Sequence, residues 1–162
     1  MERLGEMVNG LMRAIKLQDW KEIKRLMSLG GNLNASYDPF RSTPFLYAMT
    51  VFKKATEIER LINLGGDIKY KNRRGETALM IAVENGCEAI VPWVMVDYGA
   101  DINAQDAWGD TALMRCIKGP NFNRHKKLLY ALIDYGADLT NLKNKQGQTA
   151  WDLLWNMFPS KR

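Results

Sequence analysis

The chain has 162 residues, a net charge of +5, 46% hydrophobic and 25% charged residues, which are ordinary values for a domain with a real core. No apolar run nears the ~20 residues that cross a bilayer as a helix, and the opening MERLGEMVNG is acidic and lacks the apolar stretch of a secretory leader. A membrane-spanning helix is therefore excluded, no leader is expected, and the mild positive balance favours an acidic partner surface over a basic one.

In chain order, the first predicted helix follows Asn9 in NGLMRAI, and the next follow Thr43 in STPFLYAM, Thr77 in ETALMIA, Thr111 in DTALMRC and Thr149 in QTAWDLLW. The spacing is 34, 34, 34 and 38 residues. Asn and Thr are good helix N-caps, because the side-chain oxygen accepts from the unpaired amides of the first turn. Leu11-Met12-x-Ala14, Leu79-Met80-x-Ala82 and Leu113-Met114-x-Cys116 repeat one phrase. Its small last residue lets a neighbouring helix come close.

A second helical phrase follows each first one. Glu22-Ile23-x-Arg25-Leu26-x-x-Leu29-Gly30 matches Glu57-Ile58-x-Arg60-Leu61-x-x-Leu64-Gly65, and later versions end in Tyr98-Gly99-Ala100-Asp101 and Tyr135-Gly136-Ala137-Asp138. Gly30, Gly65, Gly99 and Gly136 stand where a helix stops in a left-handed residue. Each unit thus reads as helix, turn, helix, stop and polar loop. A lone pair cannot cover its own apolar face, whereas stacked pairs cover one another, so the pattern predicts a solenoid.

With Thr43-Pro44-Phe45-Leu46-Tyr47-Ala48 and Gly99-Ala100-Asp101-Ile102-Asn103, the chain resembles the ankyrin repeat over about residues 5 to 158. The resemblance implies an all-α solenoid of stacked helix-turn-helix units with protruding β-turn loops. One domain, 1–162, is expected, with repeats at about 5–38, 39–72, 73–106, 107–144 and 145–162, the first and last being atypical caps. The histidine of the family's opening phrase is replaced here by Met12, Leu46, Met80 and Met114, so packing must stand in for its hydrogen bonds. Pro92 falls inside a second helix and should bend or shorten it. The second repeat has Val51–Glu57 where a glycine is expected between helices, and the fourth carries about four extra residues in Gly119–His125.

The residues offer little catalytic chemistry. His125 is the single histidine, and no metalloprotease, nucleophile-elbow or phosphate-loop motif is present. No enzyme activity, cofactor or metal is expected, and His125 reads as a solvated residue. Cys87 and Cys116 have no metal spacing and read as buried thiols in a reducing, cytoplasmic setting. Asp101 and Asp138 fall where an aspartate ties down its own turn.

Binding is the expected function. In ankyrin proteins the loop tips and the inner face of each first helix meet the partner. By that resemblance the tips are Pro39 and Phe40, Arg73 and Arg74, Ala107 and Trp108, and Lys145 and Gln146. The helix positions are Thr50 and Val51, Glu84 and Asn85, Lys118 and Gly119, and Asn156 and Met157. Phe40 and Trp108 have no folding reason to be apolar at a tip, and aromatic and Arg side chains dominate binding hot spots. The candidate contact residues are Phe40, Lys71, Arg73, Arg74, Trp108, Lys118 and Lys145. They suit a protein with an acidic surface, which this chain would inhibit or regulate by occupancy, as bacterial, phage or viral interaction factors do. The basic run Lys69-Tyr70-Lys71-Asn72-Arg73-Arg74 leaves nucleic acid, or a phosphorylated or acidic partner, as the alternative. A monomer is expected. Self-association through the aromatic C-terminal helix (Trp151, Leu154, Trp155, Met157, Phe158) is the other reading.

Overall fold

The computed structural model describes residues 2–36, 42–87, 94, 97–119 and 126–157, with the side chains of residues 2–4 set aside. The described helices are α1 (Glu2–Lys16), α2 (Trp20–Ser28), α3 (Pro44–Val51), α4 (Ala55–Asn63), α5 (Ala78–Glu84), α6 (Ala112–Lys118), α7 (Lys126–Asp134) and α8 (Ala150–Met157). The fold is all-α, with a single isolated antiparallel bridge between Lys71 and Thr77 among the described residues.

Thr43, Thr77 and Thr111 do cap their helices. Their hydroxyls accept from the amides of Leu46, Met80 and Met114 at 3.1, 3.3 and 3.3 Å. Thr149 and Asp152 cap α8 reciprocally: Thr149 Oγ1 accepts from the Asp152 amide at 3.1 Å and Asp152 from the Thr149 amide at 2.8 Å. Asn9 does not belong to this series. It lies exposed in the middle of α1, which begins seven residues earlier, at Glu2. The apolar spacing Leu4, Val8, Leu11, Ile15 runs back past Asn9 without a break, so the helix has no reason to start there.

The first helices form an inner row in which α1 packs on α3, α3 on α5, α5 on α6 and α6 on α8. Outside it, α2 packs on α1, α4 on α3 and α7 on α6. The outer row is itself joined at Trp20 of α2, which stacks on Phe52 at 5.1 Å and receives the Arg60 guanidinium of α4 at 5.4 Å. The seam between the rows holds Leu11, Phe45, Leu79, Leu113 and Leu132 in one continuous buried cluster. Leu46, Met80 and Met114, at the positions of the missing histidine, are fully buried, so apolar packing fills those places. In place of the absent glycine, Phe52 ends α3 in extended backbone, and Lys53 Nζ donates to the carbonyls of Thr50 and Asn85 at 3.3 and 2.9 Å.

Neighbouring units are also tied by polar latches. Asn34 donates to the Gly65 carbonyl at 2.7 Å and accepts from the Asp67 amide at 2.8 Å. Asn103 repeats this with Gly136 and Asp138 at 3.2 and 2.7 Å. The stop glycines 30, 65, 99 and 136 all have positive φ. Asp101 accepts from the Asn103 amide, and Asp138 from those of Thr140 and Asn141, so both tie their own turns. Cys87 and Cys116 are buried, and burial pushes the Cys116 thiol up to about 11. Pro92 and the insertion residues from Pro120 to His125 lie outside the described residues.

Candidate partner-binding groove

Three loop tips share one construction. Asn72, Asp106 and Asn144 each accept, through one side-chain oxygen, from the amides two and four residues on: Arg74 and Glu76, Trp108 and Asp110, Gln146 and Gln148. Adjacent tips are joined through the main chain. The Ala107 amide donates to the Arg74 carbonyl at 2.7 Å, and the Lys145 amide to the Trp108 carbonyl at 2.8 Å. The tips therefore form a rigid rail rather than a row of separate loops.

The middle tip differs chemically. Its anchor is the charged Asp106, where its neighbours have Asn72 and Asn144. Its helix carries Arg115 at the position held by Tyr47, Ile81 and Leu153 in the others. The Arg115 guanidinium donates from Nε and Nη2 to Asp106 Oδ2 at 2.9 and 2.7 Å, from Nη1 to Glu84 at 2.9 Å and from Nη2 to Glu76 at 2.9 Å. The arginine side chain is 8% exposed and that of Asp106 is 0% exposed. Burial works against the Arg115 charge. The bonds to Asp106 and the nearby Glu84 and Glu76 outweigh it, so the guanidinium lies above an ordinary arginine. Burial raises Glu84 above the usual carboxylate range, against the pull of Arg115.

A groove of about 650 Å³ runs between this rail and the ends of α5 and α6, with Arg115 in its floor. Arg74, Trp108 and Lys118 line it, beside Glu84 and Asn85. Lys118 reaches both oxygens of Asp110 at 2.7 and 2.8 Å. Trp108 is 45% exposed, with the Arg115 guanidinium 5.9 Å from its ring centre. The ring therefore has an internal partner in Arg115 of the helix and stays part-exposed.

The structure thus brings together three of the sequence-predicted contact residues: Arg74, Trp108 and Lys118. Arg73 and Lys145 sit exposed on the same rail but do not line the groove, and Lys71 lies on the other flank of its loop, beside Thr77 and Gly99. Phe40 lies outside the described residues. Glu76, Asp106 and Arg115 were missed. The available signal was that aspartate replaces asparagine on one loop and arginine replaces an uncharged residue on the helix that follows it. Tyr70 is half-buried against the core, so the basic run around it does not offer a stacking platform of the single-strand-binding kind.

Comparison with known proteins agrees with this architecture. A family model described as ankyrin repeats (3 copies) matches residues 11–106. A putative ankyrin repeat protein of Acanthamoeba polyphaga mimivirus is 35% identical over 94 residues, 54% of this chain and 56% of the relative. An I-kappa-B like protein of Microplitis demolitor bracovirus is 32% identical over 80 residues, 49% of this chain and 43% of the relative. Ankyrin repeat and SOCS box protein 6 of Pongo abelii is 26% identical over 149 residues, 90% of this chain and 35% of the relative. The chain spans about half the length of the two viral relatives and a third of the third. Among the described residues no helix is long and apolar enough to cross a membrane.

Proposed function

Because the chain belongs to the ankyrin-repeat family, whose repeats are protein–protein interaction modules, we propose that it docks one partner protein along the groove and rail, and inhibits or regulates it by occupancy. The observation that carries this reading is the groove wall. Trp108 stands half-exposed there beside a guanidinium already held by three carboxylates. Little side-chain freedom remains to be lost when a partner arrives, which lowers the cost of binding.

The floor carboxylates face the chain's own cations, Arg115 and Lys118. The exposed charged side chains along the rail are basic: Arg73, Arg74, Lys143 and Lys145. That distribution supports a partner segment with acidic residues spaced along the rail and an apolar side chain set against Trp108. A mimivirus and a bracovirus protein stand among the relatives, beside protozoan and animal ones, and the two buried free thiols suit a reducing, cytoplasmic setting.

The test is capture of the partner with tagged protein, followed by titration of Trp108→Ala combined with Arg73→Ala and Arg74→Ala. Losing a hot-spot ring costs ~2 kcal/mol or more, so the affinity should fall at least about thirtyfold. Unchanged affinity in the folded variant would reject the surface. A gel-shift salt series addresses nucleic acid: duplex binding weakens with a log–log slope of about −0.9 per neutralised phosphate, and absence of a shift removes that reading.

A further inference from the structure

Helices α7 and α8 both pack on α6. Between them runs a second groove of about 430 Å³, lined mainly by Leu129, Tyr130, Ile133, Trp151, Leu154 and Trp155, with Lys126 at its lip. Its position has a meaning in the repeat register. Each of α2, α4 and α7 covers an inner helix from outside. The groove lies over α8 beside α7, where the next outer helix of the stack would pack, and no described helix occupies it. It continues the interface that already joins the repeats, so the object that fits is an amphipathic helix with anchors three and four residues apart.

We propose that this groove receives α8 of a second copy of the chain, giving a two-fold symmetric dimer. Every copy carries the filler as well as the seat. Trp151 and Trp155, one turn apart on α8 and stacked at 6.3 Å, are 49% and 60% exposed, and Tyr130 across the groove is 62% exposed. Rings of this kind bury about 150–250 Å² each when fully covered, so about 300 Å² of aromatic surface stands open per chain. Two such faces offer about 600 Å² of aromatic surface, below the ~1,000 Å² of a stable interface, so the dimer is a weak one.

Charge agrees with the choice of occupant. The lip is basic at Lys126, and α8 carries the exposed Asp152, whose carboxyl is held below the usual range by the Thr149 amide and hydroxyl and is therefore ionised near neutral pH. In the proposed dimer each copy's Asp152 pairs with the other's Lys126, and two-fold closure stops the assembly at two, with no groove left open for growth. This surface is separate from the loop rail, so the two readings can fail independently.

The test is sedimentation of the full chain from about 1 µM to about 1 mM, a span that brackets a weak specific dimer. The parent should pass from monomer to dimer and no further. Trp155→Arg, a change at an exposed position that should fold, is expected to raise the dissociation constant at least about a hundredfold, with an unchanged circular dichroism spectrum. Lys126→Glu, which sets like charges against Asp152, should weaken the dimer about tenfold and make it stronger, not weaker, at high salt. A parent that stays monomeric throughout would overturn the proposal, including the case in which a helix of some other protein fills the groove. So would a Trp155→Arg variant that dimerises like the parent, or assembly that continues past two.

Discussion

Arg115 reaches back nine residues to Asp106 and places two hydrogen bonds, 2.9 and 2.7 Å long, on one carboxylate oxygen, while the other oxygen accepts from the amides of Trp108 and Asp110. One carboxylate therefore shapes the loop tip and neutralises the groove floor. Removing it takes two of the four hydrogen bonds of Arg115 and the acceptor of two loop amides, while Glu76 and Glu84 still hold the guanidinium. Asp106→Ala is expected to cost about 2–3 kcal/mol, the range for leaving buried donors without their acceptor. Arg115→Met should cost at least as much, since it leaves Asp106, Glu76 and Glu84 as neighbouring carboxylates without their shared cation. The double variant should be less destabilised than the sum of the two. Chemical denaturation of the three variants checks this, and strict additivity would show that the pair does not act as a unit.

Gly109 and Gly147 both have positive φ, 77° and 76°. They differ in surroundings. A Cβ on Gly109 would meet the Asn144 Cα at 2.9 Å, whereas one on Gly147 would meet nothing within 4 Å. Gly147→Ala should cost only the left-handed strain, about 1–2 kcal/mol. Gly109→Ala should cost a further ~1–3 kcal/mol, because the rail must open to admit the methyl group. Equal losses in denaturation midpoints would mean that adjacent tips do not approach as closely as described.

Asp138 and Glu84 predict opposite responses to pH. The Asp138 carboxyl is held low by its bonds to Asn141, first the backbone and then the side chain, so its folded pKa lies below the unfolded value. Its contribution is present above about pH 4 and is lost as pH falls through the folded value. Asp138→Asn should therefore lower the melting temperature at pH 7 and match the parent near pH 2. Glu84 is raised by burial. Its favourable contribution is fully present below about pH 4, the unfolded value, and is lost as pH rises through the higher folded value. Glu84→Gln should melt at or above the parent temperature at pH 7, and a clear loss there would contradict the assigned direction.

The legible parts of this fold were those written in repeated phrases. Thr43, Thr77 and Thr111 are recognisable because a cap followed by a fixed apolar phrase recurs at constant spacing, and each does cap. The expectation failed at Asn9, where the register was extended by counting although the apolar spacing of α1 runs straight through it. In the groove, Arg74, Trp108 and Lys118 could be found because a repeat's register assigns loop and helix positions without knowledge of packing. The Arg115 cluster could not, since it joins Glu76, Glu84 and Asp106 of one unit to Arg115 of the next. Such a contact depends on how far two loops lean together, and no local propensity encodes that distance. The polarity of the Trp108 ring's neighbour was hidden for the same reason.

Amide hydrogen exchange of the chain with and without its captured partner tests the docking surface most directly. Protection is expected at residues 73–75 and 107–109, at Glu84 and Asn85 closing α5, and at Lys118 and Gly119 closing α6, while α2, α4 and α7 exchange as before. Protection confined to the outer helices, with the rail and groove unchanged, would contradict the account.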